Sequence, residues 1–258
     1  MKIAVCIKQV PTREWQPRLN DNKTWIREQD ASFEMNEPDA FALEESLRLK
    51  EKHGGEVVVC SAGPARVAQV IRVALARGAD RAIHVEHEGL ASADAFVTGG
   101  ALAAAMKDEQ FDLVLTGLQS DDQGFAQVGV ILAERLGLPH ATIVMEVQVP
   151  STTTLKVKRE LEGGWFQWVT MPLPALLTIQ SGINQLRYAT LKGIMGAKKK
   201  EIKDVKGADL GLASEPPALT VVTLEPLPAR PPGRIIQGEP AEAAKELVRA
   251  LREDAKAI

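Results

Sequence analysis

The stretch of this 258-residue chain with the most capacity for chemistry is Thr116-Gly117-Leu118-Gln119-Ser120-Asp121-Asp122-Gln123-Gly124. An apolar strand runs into a polar, glycine-containing loop, and a helix opens near Phe125. Backbone N–H groups at a helix start lack partners and attract phosphate. Gln127 and Val128 fall in that first turn. An ordinary strand-to-helix turn capped by Ser120 or Asp121 has the same pattern, so the loop alone leaves both readings open. Neither GxGxxG nor GxxxxGK[ST] occurs, and Asp121 and Asp122 oppose a bare triphosphate. Other chemistries find no footing. GxSxG and a carboxylate dyad are absent, and adjacent Asp121 and Asp122 diverge. Cys6 and Cys60 lie in apolar runs outside any CxxC, which suits buried reduced thiols. His53, His84, His87 and His140 form no HExxH, and His84 and His87 flank a strand end rather than one helical face. The expectation is a binding protein without catalytic residues of its own and without a metal.

The elements that must hold this loop are legible in the first 140 or so residues. KIAVCIK (2–8), GEVVVCSAG (55–63), RAIHVE (81–86), FDLVLTG (111–117) and ATIVMEVQV (141–149) are continuous apolar runs. Runs of that kind are strands buried on both faces. Helical patterns alternate with them over 39–53, after Pro64 up to Gly78, over 92–107, and through Val128, Leu132 and Leu136. Such alternation predicts an open, mostly parallel sheet flanked by helices, with ligands beyond the carboxyl ends of the strands. Cys6, Ala62-Gly63 and the Asn36-Glu37-Pro38-Asp39 turn belong on that rim, which suits an adenine nucleotide.

After residue 150 the pattern changes. TLKVKREL (154–161) and WFQWVTM (165–171) flank Glu162-Gly163-Gly164 as a hairpin, and PALLTIQ (174–180) is a further strand. Trp165 and Trp168 suit either a core or an interface. Residues 184–206 read as irregular and cationic, with Lys198-Lys199-Lys200 as a solvated run. Prolines are frequent over 213–239, which predicts an extended arm, and 241–257 reads as an amphipathic helix with Ala244, Leu247, Val248 and Leu251 on one face. The net charge of −3 opposes nucleic-acid binding, and no apolar run is long enough for membrane insertion. Met1-Lys-Ile-Ala-Val begins as a strand rather than a leader, so the expected setting is the bacterial cytoplasm or an equivalent soluble reducing compartment.

Several segments together resemble the β (small) subunit family of electron-transfer flavoproteins. They are KIAVCIKQV (2–10), MNEPDAFALEESLRLKE (35–51), SAGPARV (61–67), LARGADRAIHV (75–85), LVLTGLQSDDQGFAQVG (113–129), LKVKRELEGG (155–164) and PALLTIQSGINQLRYATLKGIMGAKKKEI (174–202). The likeness spans residues 1 to about 210 and is loose beyond. It implies an α/β sandwich over 1–210 that includes a partner-recognition loop at 184–200. It also implies a 211–258 arm and helix docking on a larger α subunit that carries FAD. The resemblance further implies an AMP without a redox role. Its contacts fall on Cys6, on Asn36, Glu37, Pro38 and Asp39, on Ala62, and on Gly117 to Val128. That last stretch includes Gln119, Ser120, Asp122, Gln123, Gly124, Phe125, Ala126 and Gln127.

Leu191 takes the place where the family offers a leucine to a dehydrogenase, amid Tyr188, Ala189, Thr190, Ile194 and Met195, although core packing would also suit a leucine. Lys192-Gly193 replaces the Pro-Asn of some relatives. The implied role is an electron carrier between flavin dehydrogenases, such as those acting on acyl-CoA in β-oxidation, and a quinone oxidoreductase. Bifurcating relatives hold a second FAD in this cleft and show a DGDTAQVGP-like loop. Here Phe125 and Val130 depart from that loop, which favours AMP. A stand-alone adenine-nucleotide-binding domain is the remaining alternative, and it would need neither the arm nor the RYATL loop.

Overall fold

The computed structural model describes residues 1–210, 216–228 and 232–258. Parts of the proline-rich stretch, 211–215 and 229–231, lie outside the described residues. The chain divides into two compact units, Met1–Thr223 and Leu224–Ile258.

The first unit is built on a nine-stranded sheet. Its strands are β1 (Lys2–Cys6), β4 (Glu56–Gly63), β5 (Arg81–Glu86), β6 (Leu113–Gly117), β7 (His140–Ser151), β8 (Thr154–Glu160), β9 (Phe166–Pro172), β10 (Ala175–Ile179) and β11 (Ile202–Lys206). Two short strands, β2 (Gln9–Pro11) and β3 (Phe33–Met35), pair antiparallel beside it. The order across the sheet is β11-β5-β4-β1-β6-β10-β7-β8-β9. Strands β11 through β7 are parallel, and β8 and β9 complete an antiparallel meander.

Continuous apolar strands follow from two covering layers. Ile3, Val5, Val57, Val59, Leu113 and Leu115 pack with α1 (Glu37–His53) and α2 (Ala68–Arg77). The alternate residues Ala4, Cys6, Val58, Cys60 and Val114 pack with α3 (Ala95–Met106) and α4 (Val128–Leu136). Each strand therefore needs apolar side chains at every position.

The expected strands and helices of the first 140 residues are all present, although the helix expected to open near Phe125 begins at Val128, and the Glu162–Gly164 hairpin is present as well. Two details differ from the sequence reading, and one alternative left open there is settled. Residues 184–206 are only partly irregular: they include α5 (Leu191–Ala197) and the parallel edge strand β11. The Ile202–Lys206 strand escapes a hydrophobic pattern because its lysines and aspartate face solvent at a sheet edge. Lys200 is not part of a solvated run, since its ammonium donates to the Leu75 and Ala79 carbonyls at the end of α2. Trp165 and Trp168 are exposed on the meander, where Lys156 lies over the Trp168 ring.

In the second unit, α6 (Pro240–Arg249) continues through a π turn to Asp254. Its Leu247 and Val248 are about half exposed. Among the described residues, no helix is long and apolar enough to cross a membrane.

Candidate functional site

The chain passes from β1 through α1 to β4 on one side, then returns through α3 to β6 on the other, so the order reverses between β1 and β6. The two loops leaving these strands part there and open a crevice at their carboxyl ends. A solvent-open cleft occupies this place.

Two buried side chains shape it. Asn36, at the start of α1, donates from Nδ2 to the Gln119 carbonyl (2.9 Å) and accepts the Asp121 N–H at Oδ1 (2.9 Å). Asp39 accepts the Lys8 N–H at Oδ2 (2.7 Å) and the Gly117 N–H at Oδ1 (2.9 Å). One carboxyl group thus ties together the ends of both strands at the switch point. Burial pushes its pKa up to about 7, against the opposing pull of the Lys8 and Gly117 amides. Gly117 is required for this approach: a Cβ there would lie 2.6 Å from the Pro38 carbonyl carbon and 2.7 Å from the Asp39 nitrogen.

The helix α4 forms the floor. Gln127 precedes it without a side-chain cap, and the first helical bond runs from Ile131 N–H to the Gln127 carbonyl. The amides of Val128, Gly129 and Val130 are therefore left for a ligand or water. Gly129 lets the helix sit low on the sheet, because a Cβ would come within 2.6 Å of Thr178 Cγ2 and 2.7 Å of Thr116 Oγ1. Positive φ at Gly124 (66°) and Ala126 (55°) turns the loop back to this helix start. The Lys8 ammonium reaches Asp122 Oδ1 (2.7 Å) and Gln123 Oε1 (3.0 Å) across the mouth.

Of the residues expected at a nucleotide site, Cys6, Asn36, Asp39, Ala62, Gly117 and Gln119 line the cleft. So do Ser120, Gln123, Phe125, Ala126, Gln127 and Val128. Four expected residues stand outside its lining. Glu37 is exposed and pairs with Arg13. Pro38 is buried under Gly117. Asp122 holds Lys8, and Gly124 supplies the turn. Sequence reasoning missed Lys8, Gly129 and an apolar wall made of Leu90, Ala95 and Leu102. Gly129, in the first turn of a helix leaving a buried strand, was the available signal; the wall had none.

Cys6 and Cys60 are buried free thiols whose pKa values burial pushes up, that of Cys60 to about 12, so neither is a ready nucleophile.

The RYATL segment forms a second feature. Thr190 caps α5, its Oγ1 accepting the Gly193 N–H at 3.0 Å. Leu191 is 75% exposed, Tyr188 89% and Met195 65%, with Ile194 also exposed. Core packing of Leu191 is thereby ruled out within the chain. The mount beneath is rigid: Arg187 binds Glu44 through Nε (2.9 Å) and Nη2 (3.0 Å), and Arg72 donates to the Ala197 carbonyl (2.6 Å). A Cβ on Gly193 would lie 2.2 Å from the Ala76 carbonyl oxygen, so glycine lets α5 lie against α2.

A doubly wound sheet with its crevice at the β1–β6 switch point defines an open α/β protein, and it carries an exposed apolar helix on a rigid mount. Residues 23–210 match the family described as the electron transfer flavoprotein domain. The chain is 37% identical to the electron transfer flavoprotein subunit beta of Methylophilus methylotrophus, over 98% of each chain. It is 38% identical to that of Bacillus subtilis, over 90% of this chain and 91% of the other. It is 37% identical to that of Sus scrofa, over 98% and 97%. The chain belongs to the electron transfer flavoprotein β-subunit family.

Proposed function

We propose that this chain is the AMP-binding, partner-docking half of a heterodimeric electron carrier whose α subunit holds FAD. The single observation that carries the reading is the cleft at the β1–β6 switch point, which ends on an uncapped helix start. Three unpartnered amides of α4 and the nearby Lys8 ammonium suit a phosphate. Leu90, Ala95 and Leu102 offer an apolar wall for a flat base, and Gln119, Ser120, Gln123 and Gln127 offer hydrogen bonds to its polar edge and the ribose. In this reading AMP serves binding and structure rather than bond making.

FAD on the α subunit would supply the redox chemistry. Residues 211–258 would dock on that subunit, and Tyr188, Ala189, Thr190, Leu191, Ile194 and Met195 would meet flavin dehydrogenases such as those acting on acyl-CoA. An exposed leucine on a rigid helix enters a partner's pocket with little ordering of its own, and this preorganisation favours an anchor role. A quinone oxidoreductase would take the electrons onward. Two free buried thiols suit a reducing compartment such as the cytoplasm.

The test is to co-express the chain with its α partner, denature the purified complex, and quantify released nucleotides. One FAD and one AMP per heterodimer is the expected result. Two FAD and no AMP would replace this reading with a bifurcating subunit, and failure to form a heterodimer would leave a stand-alone nucleotide-binding domain.

A further inference from the structure

The second candidate site lies at one edge of the sheet, where β5 pairs with β11. Its register sets His84 beside Asp204 and Glu86 beside Lys206. Residues two apart on a strand share a face, so His84 and Glu86 project to the same side. Donor atoms of His84, Glu86 and Asp204 all lie within 4.8 Å of one another.

The histidine is the informative member. Its side chain is only 1% exposed. Nε2 lies 3.2 Å from the Gly63 carbonyl, which can only accept, so Nε2 carries a proton. In the neutral ring Nδ1 is then a lone pair, and it faces Asp204 Oδ1 at 3.3 Å. Two acceptors in that position suit a cation between them. A proton would serve these two, whereas a metal ion would also engage Glu86, whose carboxylate lies within reach of both. With metal–nitrogen and metal–oxygen bonds of about 2.1 Å, a 3.3 Å separation subtends an angle of roughly 104° at the ion, close to tetrahedral. The Nε2–H bond to a backbone carbonyl is also the arrangement that orients a metal-ligating imidazole.

We propose that His84 Nδ1, Asp204 and Glu86 bind a divalent ion of the zinc type, with water in the remaining position. The ion would cross-link the edge strand β11 to β5 directly after the α5 segment. Lys206 now engages Glu86 at 2.8 Å, and this exposed lysine must swing into solvent as the ion enters. The spacing of His84 and His87 did not disclose the site. His87 accepts the Gly89 N–H at Nδ1, and the third ligand, Asp204, is 120 residues away from His84.

The test uses the full chain, alone and in its heterodimer, stripped with a chelator and titrated with zinc chloride by equilibrium dialysis and elemental analysis. The proposal expects one zinc per chain and a rise in melting temperature on binding. Asp204→Asn should weaken binding by roughly 10- to 100-fold and abolish the melting shift. Lys206→Ala should bind more tightly than the parent. Both substitutions are at exposed positions, so neither depends on the buried His84 tolerating change. No stoichiometric zinc, or zinc held equally by the parent and Asp204→Asn, would overturn the site.

Discussion

Gly129→Ala tests whether the depth of α4 on the sheet sets both stability and the cleft. The added Cβ would lie 2.6 Å from Thr178 Cγ2, about 0.8 Å short of ordinary contact, which begins near 3.4 Å. Neither neighbour yields easily. Thr178 Oγ1 accepts the Ile143 N–H, and Thr116 Oγ1 donates to the Gly117 carbonyl. Rotating either side chain breaks a hydrogen bond that is at least partly buried, so the helix must lift instead. Overpacking of this kind costs about 1–3 kcal/mol, against at most about 1 kcal/mol gained from alanine's helix propensity. A net loss of about 1–2 kcal/mol lowers the melting temperature by about 2–8 °C in a unit of this size. Lifting the first turn also moves the free amides, and losing part of one charge-assisted hydrogen bond weakens AMP by about tenfold.

Thermal denaturation and calorimetric titration with AMP measure the two effects. Gly196→Ala is the control, since nothing lies within 4 Å of the place its Cβ would take. It should match or slightly exceed the parent in stability. A Gly129→Ala protein that melts with the parent and binds AMP equally would refute the reasoning.

Two further outcomes follow from the same structure. Asp39 has its folded pKa raised from 3.8 to about 7, so its contribution to stability is fully present below pH 3.8 and is lost as the pH rises through 7. The loss amounts to at most about 4 kcal/mol, and denaturant titrations from pH 5 to 8 should show a steeper fall for the parent than for Asp39→Asn; equal slopes would remove Asp39 as the cause. Leu191→Ala should leave melting and AMP binding unchanged, because the side chain makes little contact within the chain. It should weaken dehydrogenase binding by about 1–2 kcal/mol, roughly 5- to 30-fold, and unchanged electron-transfer kinetics would dismiss the anchor.

The fold was legible where burial imposes a pattern. Strands β1, β4, β5 and β6 lie between two helical layers, so they must be apolar at consecutive positions and stand out. The hairpin at Glu162-Gly163-Gly164 was legible because positive φ at Gly163 and Gly164 favours glycine. Strand β11 was not, since an edge strand with a solvated face carries no such demand. Helix α5 was hidden for a related reason: its seven residues include two glycines, and its position depends on Arg187, Arg72 and Thr190 rather than on helical propensity.

The sequence by itself determined the parallel α/β class, the loop that closes the cleft and the family, because local patterns and motif order are written along the chain. Only the tertiary structure decided which groups meet. Asp39 joins β1 to β6, Lys8 crosses the cleft mouth to Asp122, and Asp204 comes to His84 from 120 residues away. Such pairings depend on strand order and register. Those are fixed by how whole elements bury their faces against one another, a property that no short stretch of residues carries.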